Sequence, residues 1–472
     1  MTTKNLAAGL FLAHLLVFAG FASGGDFNLN SLRAVPADIQ VTPAASPQAV
    51  QAAPASPENP APVKEWTVMI FMNGTNNLAP YFLGDVNAIA DIGATQEVNI
   101  SLEFSLMYKE SSVVSRVRVL KTENGQPAAD VYNTWENRDM GDWRNLADFV
   151  RWSKASFPAK RYMLIIQNHG GGFLDQTAKP KNGNKGISYD EISGNYIKIP
   201  ELARVLAETG PVDMLVMNAC EMQMAEVAYE LGSGAGVILA SEEIDRAVFF
   251  QYKERLAYLE ANPAENAEKV ATAYVEMRRK IVFPGSEVNY GFGNSTHTYT
   301  VTKDIANTLS ALRPAELRGL PAALNAWTAA VMAAGETEAV VYAVASTVRL
   351  GVLKPSDQPF SQFTDLWNFA WRVNYMSKDP GVKEATKELF AYLDKLVLAN
   401  AGMNSNLSGL DYSKAVRGVS IKMIPLTPAP QSAVNPNMTV VTDTKYSDLR
   451  LSKDSQWDEF LAWAGQLYYR PR

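Results

Sequence analysis

The stretch that decides the fold is RYMLIIQNHGGGF, residues 161–173. Its apolar run has no polar alternation, which is typical of a strand covered on both faces in a parallel sheet between helices. The run ends on Asn168 and His169, and three glycines follow. In open α/β sheets, functional groups lie at the carboxyl ends of the strands. The stretch therefore predicts a functional histidine at such an end.

On either side of this stretch, the sequence alternates short apolar runs with helical patterns. Helical spacing is found at 142–157 and 199–208, and the second pattern is stopped by Gly210 and Pro211. Short apolar runs predict strands at 66–72, 98–108, 113–120, 162–167, 212–217 and 236–240. The βαβ order predicts a doubly wound α/β domain with a mostly parallel sheet flanked by helices, over residues 65–252.

After residue 253 the pattern changes to long helices, and we predict a mixed α/β C-terminal region over 253–472. In this region the sequence predicts helices at 266–282, 315–335 and 386–402. It predicts strands at 339–348 and 418–424.

The N-terminus has the layout of a secretory signal peptide. Lys4 precedes an apolar run from Leu6 to Ala22, and small residues follow. We predict a cleaved signal peptide at 1–24, and hence a secreted, periplasmic or cell-surface protein. If the segment stays uncleaved, it is a membrane anchor. Residues 25–64 are rich in Pro and Ala, and they are predicted to form an extended linker.

Composition and net charge reduce the number of function classes that the sequence supports. The chain has 472 residues, 47% of them hydrophobic, which supports full hydrophobic cores. The net charge of −6 comes without a basic tract, so the sequence gives no support to nucleic-acid binding.

Cys220 is the only cysteine, so it forms no disulfide within the chain. It follows the apolar run 212–217, and the pattern of 221–231 predicts a helix that starts just after it. A helix N-terminus lowers the pKa of a thiol and favours the thiolate. The alternative interpretation is a buried, inert thiol.

Three histidines are present, and His14 lies in the signal segment. His297 lies in a polar stretch, where a surface histidine is expected. His169 remains, and the glycines after it allow main-chain N–H groups to approach a substrate carbonyl. If the strands that precede His169 and Cys220 are neighbours, these two residues form a base and nucleophile pair.

The blocks around these two residues resemble the clostripain-like family of cysteine peptidases (C11), which belongs to the clan of the caspases. The resembling segments are WTVMIFMNGTNNL (66–78), NHGGGF (168–173), GISYDEISGNYIKIPELARVL (186–206), NACEMQMAEVAYEL (218–231) and ASEE (240–243). The resemblance covers most of the chain after residue 65.

The resemblance implies a caspase-like sheet and an endopeptidase that acts on protein or peptide substrates through His169 and Cys220. It also implies an oxyanion hole made by the backbone N–H groups of Gly170 and Cys220. Family members cleave after Arg or Lys, and some depend on calcium or on self-cleavage, for which the loop 178–186 is the candidate. No cofactor is required for the chemistry.

One departure concerns the specificity pocket. The family has Asp two residues before the nucleophile, and this chain has Asn218. An amide supplies no net charge for a basic substrate side chain. Glu242, Glu243 and Asp245 follow the next strand, and any of them is a candidate for the same pocket.

Three other functions are alternatives to a peptidase. A non-catalytic binding module on a peptidase fold is favoured by the altered pocket. A thiol redox protein requires a resolving cysteine, which the chain lacks. Transition-metal chemistry is disfavoured because two histidines and one cysteine follow the signal segment without ligand spacing. Calcium needs only oxygen ligands and stays open.

Overall fold

The computed structural model describes residues 62–123, 126–174, 186–293, 295–353, 355–406, 408–427 and 446–470. The predicted signal peptide and most of the predicted linker lie outside these residues. Most of the candidate self-cleavage loop also lies outside them. Within the described part of the chain, no helix has the length and apolar character to cross a membrane.

A nine-stranded sheet forms the centre of the molecule, in the order β12-β10-β7-β6-β5-β1-β2-β3-β4. The five strands from β7 to β2 run parallel, and antiparallel pairs extend the sheet at both edges. The strands of this sheet are β1 (Lys64–Gly74), β2 (Val98–Tyr108), β3 (Ser111–Glu123), β4 (Gln126–Glu136), β5 (Ala159–Gln167), β6 (Val212–Asn218), β7 (Ala235–Ala240), β10 (Asn307–Leu312) and β12 (Val397–Met403). The predicted mostly parallel α/β fold is confirmed.

Two further antiparallel pairs lie outside this sheet. They are formed by β8 (Glu287–Phe292) with β9 (Ser295–Thr300), and by β11 (Phe363–Asp365) with β13 (Ser420–Lys422). The α-helices are α1 (Ala79–Ile92), α2 (Trp143–Ser156), α3 (Ile199–Thr209), α4 (Ala225–Leu231), α5 (Tyr252–Ala261), α6 (Ala267–Ile281), α7 (Leu320–Ala333), α8 (Thr337–Ser346), α9 (Leu366–Met376), α10 (Pro380–Leu396), α11 (Tyr412–Ala415), α12 (Arg450–Asp454) and α13 (Trp457–Tyr468).

Both faces of the sheet are buried, as the unbroken apolar runs predict. Successive residues of β5 alternate between two hydrophobic cores. Leu164 and Ile166 pack in one core with residues of α2 and α3, and Met163 and Ile165 pack in the other with residues of α1, α5 and α6. Burying a side chain of this size stabilises the fold by about 1.5–3 kcal/mol, which fixes the strand between its two helical layers.

The region after residue 253 contributes to the same sheet. Strand β10 pairs antiparallel with β7, and β12 pairs antiparallel with β10. The boundary between 252 and 253 stays a prediction, but strands from both sides of it share one hydrogen-bonded sheet.

Two predictions for the later region are wrong. Residues 339–346 lie in α8, because Ala339, Val340, Ala343 and Val344 are buried at helical spacing. The predicted helix 386–402 ends at Leu396, where the chain becomes β12 and pairs with β10. In both cases packing against the existing core outweighs local propensity.

Candidate active site

The site is built where β5 and β6 end side by side. Gln167 pairs with Asn218 in this parallel pair, and the backbone N–H of Asn168 donates to the Asn218 carbonyl at 3.3 Å. His169 and Cys220 each follow their paired residue by two positions. The register therefore brings the two predicted catalytic residues to equivalent positions of neighbouring strand ends.

The two strand ends are in close backbone contact. A Cβ atom at Gly170 would stand 2.3 Å from the Cys220 carbonyl oxygen and 2.9 Å from the Cys220 nitrogen. Only glycine allows this approach. Within the described residues, neither the Gly170 N–H nor the Cys220 N–H donates a hydrogen bond. Two free main-chain donors thus lie together beside the thiol.

His169 has a partner that the sequence did not reveal. Its Nε2 lies 2.8 Å from Asn77 Oδ1, just after β1, the neighbour of β5 in the sheet. Because an amide oxygen only accepts, this bond assigns the proton to Nε2 and leaves Nδ1 as the base. Burial lowers the pKa of His169 to about 4. His297, by contrast, is exposed on β9, as expected.

The surroundings of Cys220 correct one prediction. The helix after it begins only at Ala225, because Glu221 has a φ of 61° and the backbone N–H of Gln223 donates to Ser241 at 2.9 Å. Burial, followed by the charge of Glu221, raises the pKa of Cys220 to about 12. The thiol faces the Asp245 carbonyl oxygen at 3.8 Å. It is therefore a neutral thiol at rest, not the helix-stabilised thiolate that we predicted.

A polar network supports the histidine block. The side-chain amide of Asn168 donates to the Asn73 carbonyl, and its Oδ1 accepts from the Tyr189 N–H at 2.8 Å. Asn73 in turn donates from Nδ2 to the Ser188 carbonyl at 3.1 Å. These buried amides fix the strand ends of β1 and β5 relative to each other. The polar segment NGTNN (73–77) was the available signal, since it ends the buried strand β1 and continues beyond it.

The three acidic pocket candidates are all engaged internally. Glu242 is buried, accepts from the Gly418 N–H at 3.0 Å and is hydrogen-bonded to Asp365. Glu243 accepts from Tyr412 at 2.6 Å and from the Gly351 N–H at 2.9 Å. Each of these carboxyl groups already has partners within the chain.

Asp245 forms a fully buried ion pair with Arg278, with Nη1 and Oδ1 2.7 Å apart. Asn218 is also buried, with 1% of its surface exposed. Its Nδ2 donates to the Tyr252 hydroxyl at 3.2 Å, and its Oδ1 accepts from Arg255 at 3.3 Å. Asn218 and Asp245 thus lie next to Cys220, but their side chains are engaged in contacts within the protein.

The described residues contain no cluster of three or more His, Cys, Asp or Glu side chains suited to a metal ion. Glu242, Glu243 and Asp245 have the internal partners given above and are not free to hold a calcium ion. Calcium dependence stays a prediction of the resemblance, and no step below uses it.

A cleft opens beside the loop that contacts Cys220. Ile244 and Arg246, on either side of Asp245, line one wall. Residues of the C-terminal region line the rest, among them Ile305, Val352 and Leu353. Cys220 and His169 are not among its lining residues, and Asp245, between two residues of this wall, contacts the Cys220 thiol through its carbonyl oxygen at 3.8 Å. We call it the 244–246 cleft.

Adjacent strand ends that carry His and Cys at the edge of a mostly parallel sheet define the caspase-like class of cysteine peptidase folds. The sequence model of the clostripain family matches residues 70–463. The chain belongs to the clostripain family. Clostripain of Hathewaya histolytica is 26% identical over 232 residues, which span 43% of this chain and 43% of that protein.

Solved structures show the same fold. A secreted C11 cysteine protease from Bacteroides thetaiotaomicron, in complex with an irreversible peptide inhibitor, aligns with a TM-score of 0.58 and 18% identity. The alignment covers 84% of this chain and 100% of that one. An inactive zymogen C11 protease from Parabacteroides distasonis aligns with a TM-score of 0.57 and 19% identity, over 84% and 99% of the two chains.

Proposed function

We propose that the protein is a cysteine endopeptidase that hydrolyses peptide bonds through Cys220 and His169. The observation that carries this proposal is the register of β5 and β6, which sets the two residues at matching strand ends beside two free N–H donors. Membership of the clostripain family supports the same reaction.

The reaction proceeds by acyl transfer. Cys220 Sγ attacks the carbonyl carbon of the scissile bond while its proton passes to Nδ1 of His169. The carbonyl oxygen becomes an oxyanion, which accepts hydrogen bonds from the N–H groups of Gly170 and Cys220. The imidazolium then protonates the leaving amine, and a thioester remains on Cys220. Water, deprotonated by His169, releases the acid and restores the thiol.

Because Cys220 and His169 are both neutral at rest, proton transfer accompanies attack. A thiol with a pKa of about 12 and an imidazole with a pKa of about 4 do not form a resting ion pair. Asn77 supports the base role, since its contact with Nε2 fixes the ring and its tautomer.

The resemblance extends the proposal to cleavage after Arg or Lys. That extension requires an acidic pocket, and the internal partners of Glu242, Glu243 and Asp245 do not support it. Export through the signal peptide 1–24 is part of the proposal, and N-terminal sequencing of the secreted protein tests it. Self-cleavage within 178–186 is tested on a denaturing gel against Cys220→Ala.

The alternative is a non-catalytic binding module on the same fold. The raised pKa of Cys220 favours it, because a neutral thiol is a weak nucleophile. A peptide library incubated with the purified protein separates the two functions by mass spectrometry. Cleavage that disappears in Cys220→Ala establishes the peptidase. Cleavage that is absent, before and after calcium addition or limited proteolysis, supports the binding module.

A further inference from the structure

Arg255, on α5, is a buried arginine with unused donors. It is 3% exposed, and its Nη1 donates to Asn218 Oδ1 at 3.3 Å. Among the described residues, its Nε and Nη2 have no hydrogen-bond partner. Buried polar atoms in native proteins are almost always satisfied by protein groups, ordered water or a ligand, so these two N–H donors are open to a further acceptor.

The surroundings compensate the charge of Arg255 only in part: its guanidinium lies 5.2 Å from the centre of the Tyr274 ring, and no carboxylate is hydrogen-bonded to it among the described residues. The neighbouring Arg278 already occupies the carboxylate of Asp245. The next acid along the hydrogen-bond network is Asp85, and Gln167, Tyr252 and Asn218 separate it from Arg255. Burial raises the pKa of Asp85 to about 7, which reduces its negative charge further. The interior near the end of β6 therefore holds the guanidinium groups of Arg255 and Arg278, and the carboxylate of Asp245 is already paired with Arg278.

The 244–246 cleft carries charges of both signs, since Arg246 and Asp304 both line it. Arg246 is exposed in the 244–246 cleft and forms no ion pair within the described residues. Glu243, which also lines the cleft, is held by Tyr412 and by the Gly351 N–H. Burial raises the pKa of Glu243, so its carboxyl resists ionisation.

We infer that the peptidase selects an acidic side chain, Asp or Glu, on the residue that contributes the scissile carbonyl (P1). Arg255 is the residue that determines this specificity. The inference rests on the proposed function of Cys220, because the selected residue is the one acylated there.

A carboxylate at P1 would compensate the buried positive charge of Arg255. Asn218 bonds to Arg255 and precedes Cys220 by two residues, so it links the guanidinium to the strand end that carries the nucleophile. A P1 carboxylate that displaces the Asn218 amide satisfies the unused donors in a charge-assisted, bidentate contact. A P1 lysine or arginine instead adds a third cation, and like charges brought together in a buried site are strongly disfavoured.

The test is a set of fluorogenic peptides with identical flanking residues and Asp, Glu, Asn, Gln, Lys or Arg at P1. We expect kcat/KM for Asp or Glu to exceed that for the matching amide at least about tenfold, and Lys and Arg to be the poorest substrates. A preference for basic or uncharged P1 residues overturns the inference. If no substrate is cleaved and no P1 probe labels Cys220, the proposed function itself fails.

Three variants separate specificity from folding. In Arg255→Met, the Asp-to-Asn ratio of kcat/KM should fall at least about tenfold, since the charged contact is gone. Arg116→Met removes another buried arginine, paired with Glu103 on the far side of the sheet order, and should lower stability without changing that ratio. Asn218→Asp supplies an internal partner to Arg255, so it should reduce the acidic preference and raise the thermal unfolding temperature. An unchanged ratio in Arg255→Met contradicts the assignment.

Discussion

His169 Nε2 lies 2.8 Å from Asn77 Oδ1, so the base of the proposed dyad is oriented by a residue from a third strand end. Removing the amide in Asn77→Ala frees the ring and its tautomer. We expect kcat to fall roughly 10- to 100-fold, because correctly placed proton transfer contributes about 10²–10⁴ in rate. The measurement is steady-state kinetics on the preferred substrate, with thermal unfolding as the folding control.

Asn77→Asp provides the complementary variant. A carboxylate beside Nε2 stabilises the imidazolium, so the pKa of His169 should rise from its present value of about 4 by about 1 unit or more. The acidic limb of the kcat/KM profile should shift upward by the same amount. A profile that stays unshifted in Asn77→Asp contradicts the orienting contact.

Gly170→Ala tests the backbone contact at the proposed oxyanion hole. The new Cβ would stand 2.3 Å from the Cys220 carbonyl oxygen, so the two strand ends must separate. A displacement of about 1 Å at a reacting centre can cost about 100-fold in rate. We expect a loss of that order in kcat.

The matched control is Gly465→Ala on α13, where the nearest atoms lie at 3.8 Å. It should leave kcat unchanged and stabilise the helix by up to about 1 kcal/mol. Equal activity of Gly170→Ala and wild type would show that the contact does not position the donors.

The buried ion pair of Asp245 and Arg278 has a large predicted role in stability. Asp245→Asn leaves a fully buried guanidinium without its carboxylate, which costs about 3–5 kcal/mol in the free energy of unfolding. Glu208→Gln weakens exposed pairs with Arg151 and Arg204 and should cost far less, because exposed ion pairs contribute little to stability. Urea unfolding measures both. A similar small loss in the two variants would contradict the predicted burial of the first pair.

Glu242 and Asp365 share a buried contact that links the loop after β7 to the C-terminal region. Burial raises the pKa of Asp365 to about 6 and that of Glu242 well above its usual range. The folded state therefore binds protons more tightly than the unfolded chain. Between the ordinary and the raised pKa values, the free energy of unfolding decreases as pH rises, by up to about 1.4 kcal/mol per proton and pH unit.

Glu242→Gln replaces the protonated carboxyl with a neutral group of the same shape. Its free energy of unfolding should decrease less steeply than that of wild type between about pH 5 and pH 8. Urea unfolding at several pH values gives the two slopes. Parallel curves would mean that this pair does not hold the additional proton.

Much of the fold could be predicted from the sequence because strands buried on both faces have unbroken apolar runs. The two candidate catalytic residues could also be predicted, because His169 and Cys220 each follow such a strand by two residues. The residues that contact this site could not be predicted from the sequence. Asn77 and Arg255 approach it from elements distant in sequence, and only the sheet order brings them there. The helix predicted after Cys220 begins later because Glu221 adopts a left-handed conformation, which local periodicity does not reveal.

The Cys220–His169 dyad is tested by labelling the purified mature protein with peptidyl acyloxymethyl ketones that carry Asp, Asn, Lys or Arg at P1. Intact mass gives the rate of adduct formation. We expect one adduct on wild type, none on Cys220→Ala, at least about 100-fold slower labelling of His169→Ala, and normal labelling of His297→Ala. Absence of any adduct on wild type, or labelling of His169→Ala at the wild-type rate, would contradict the dyad.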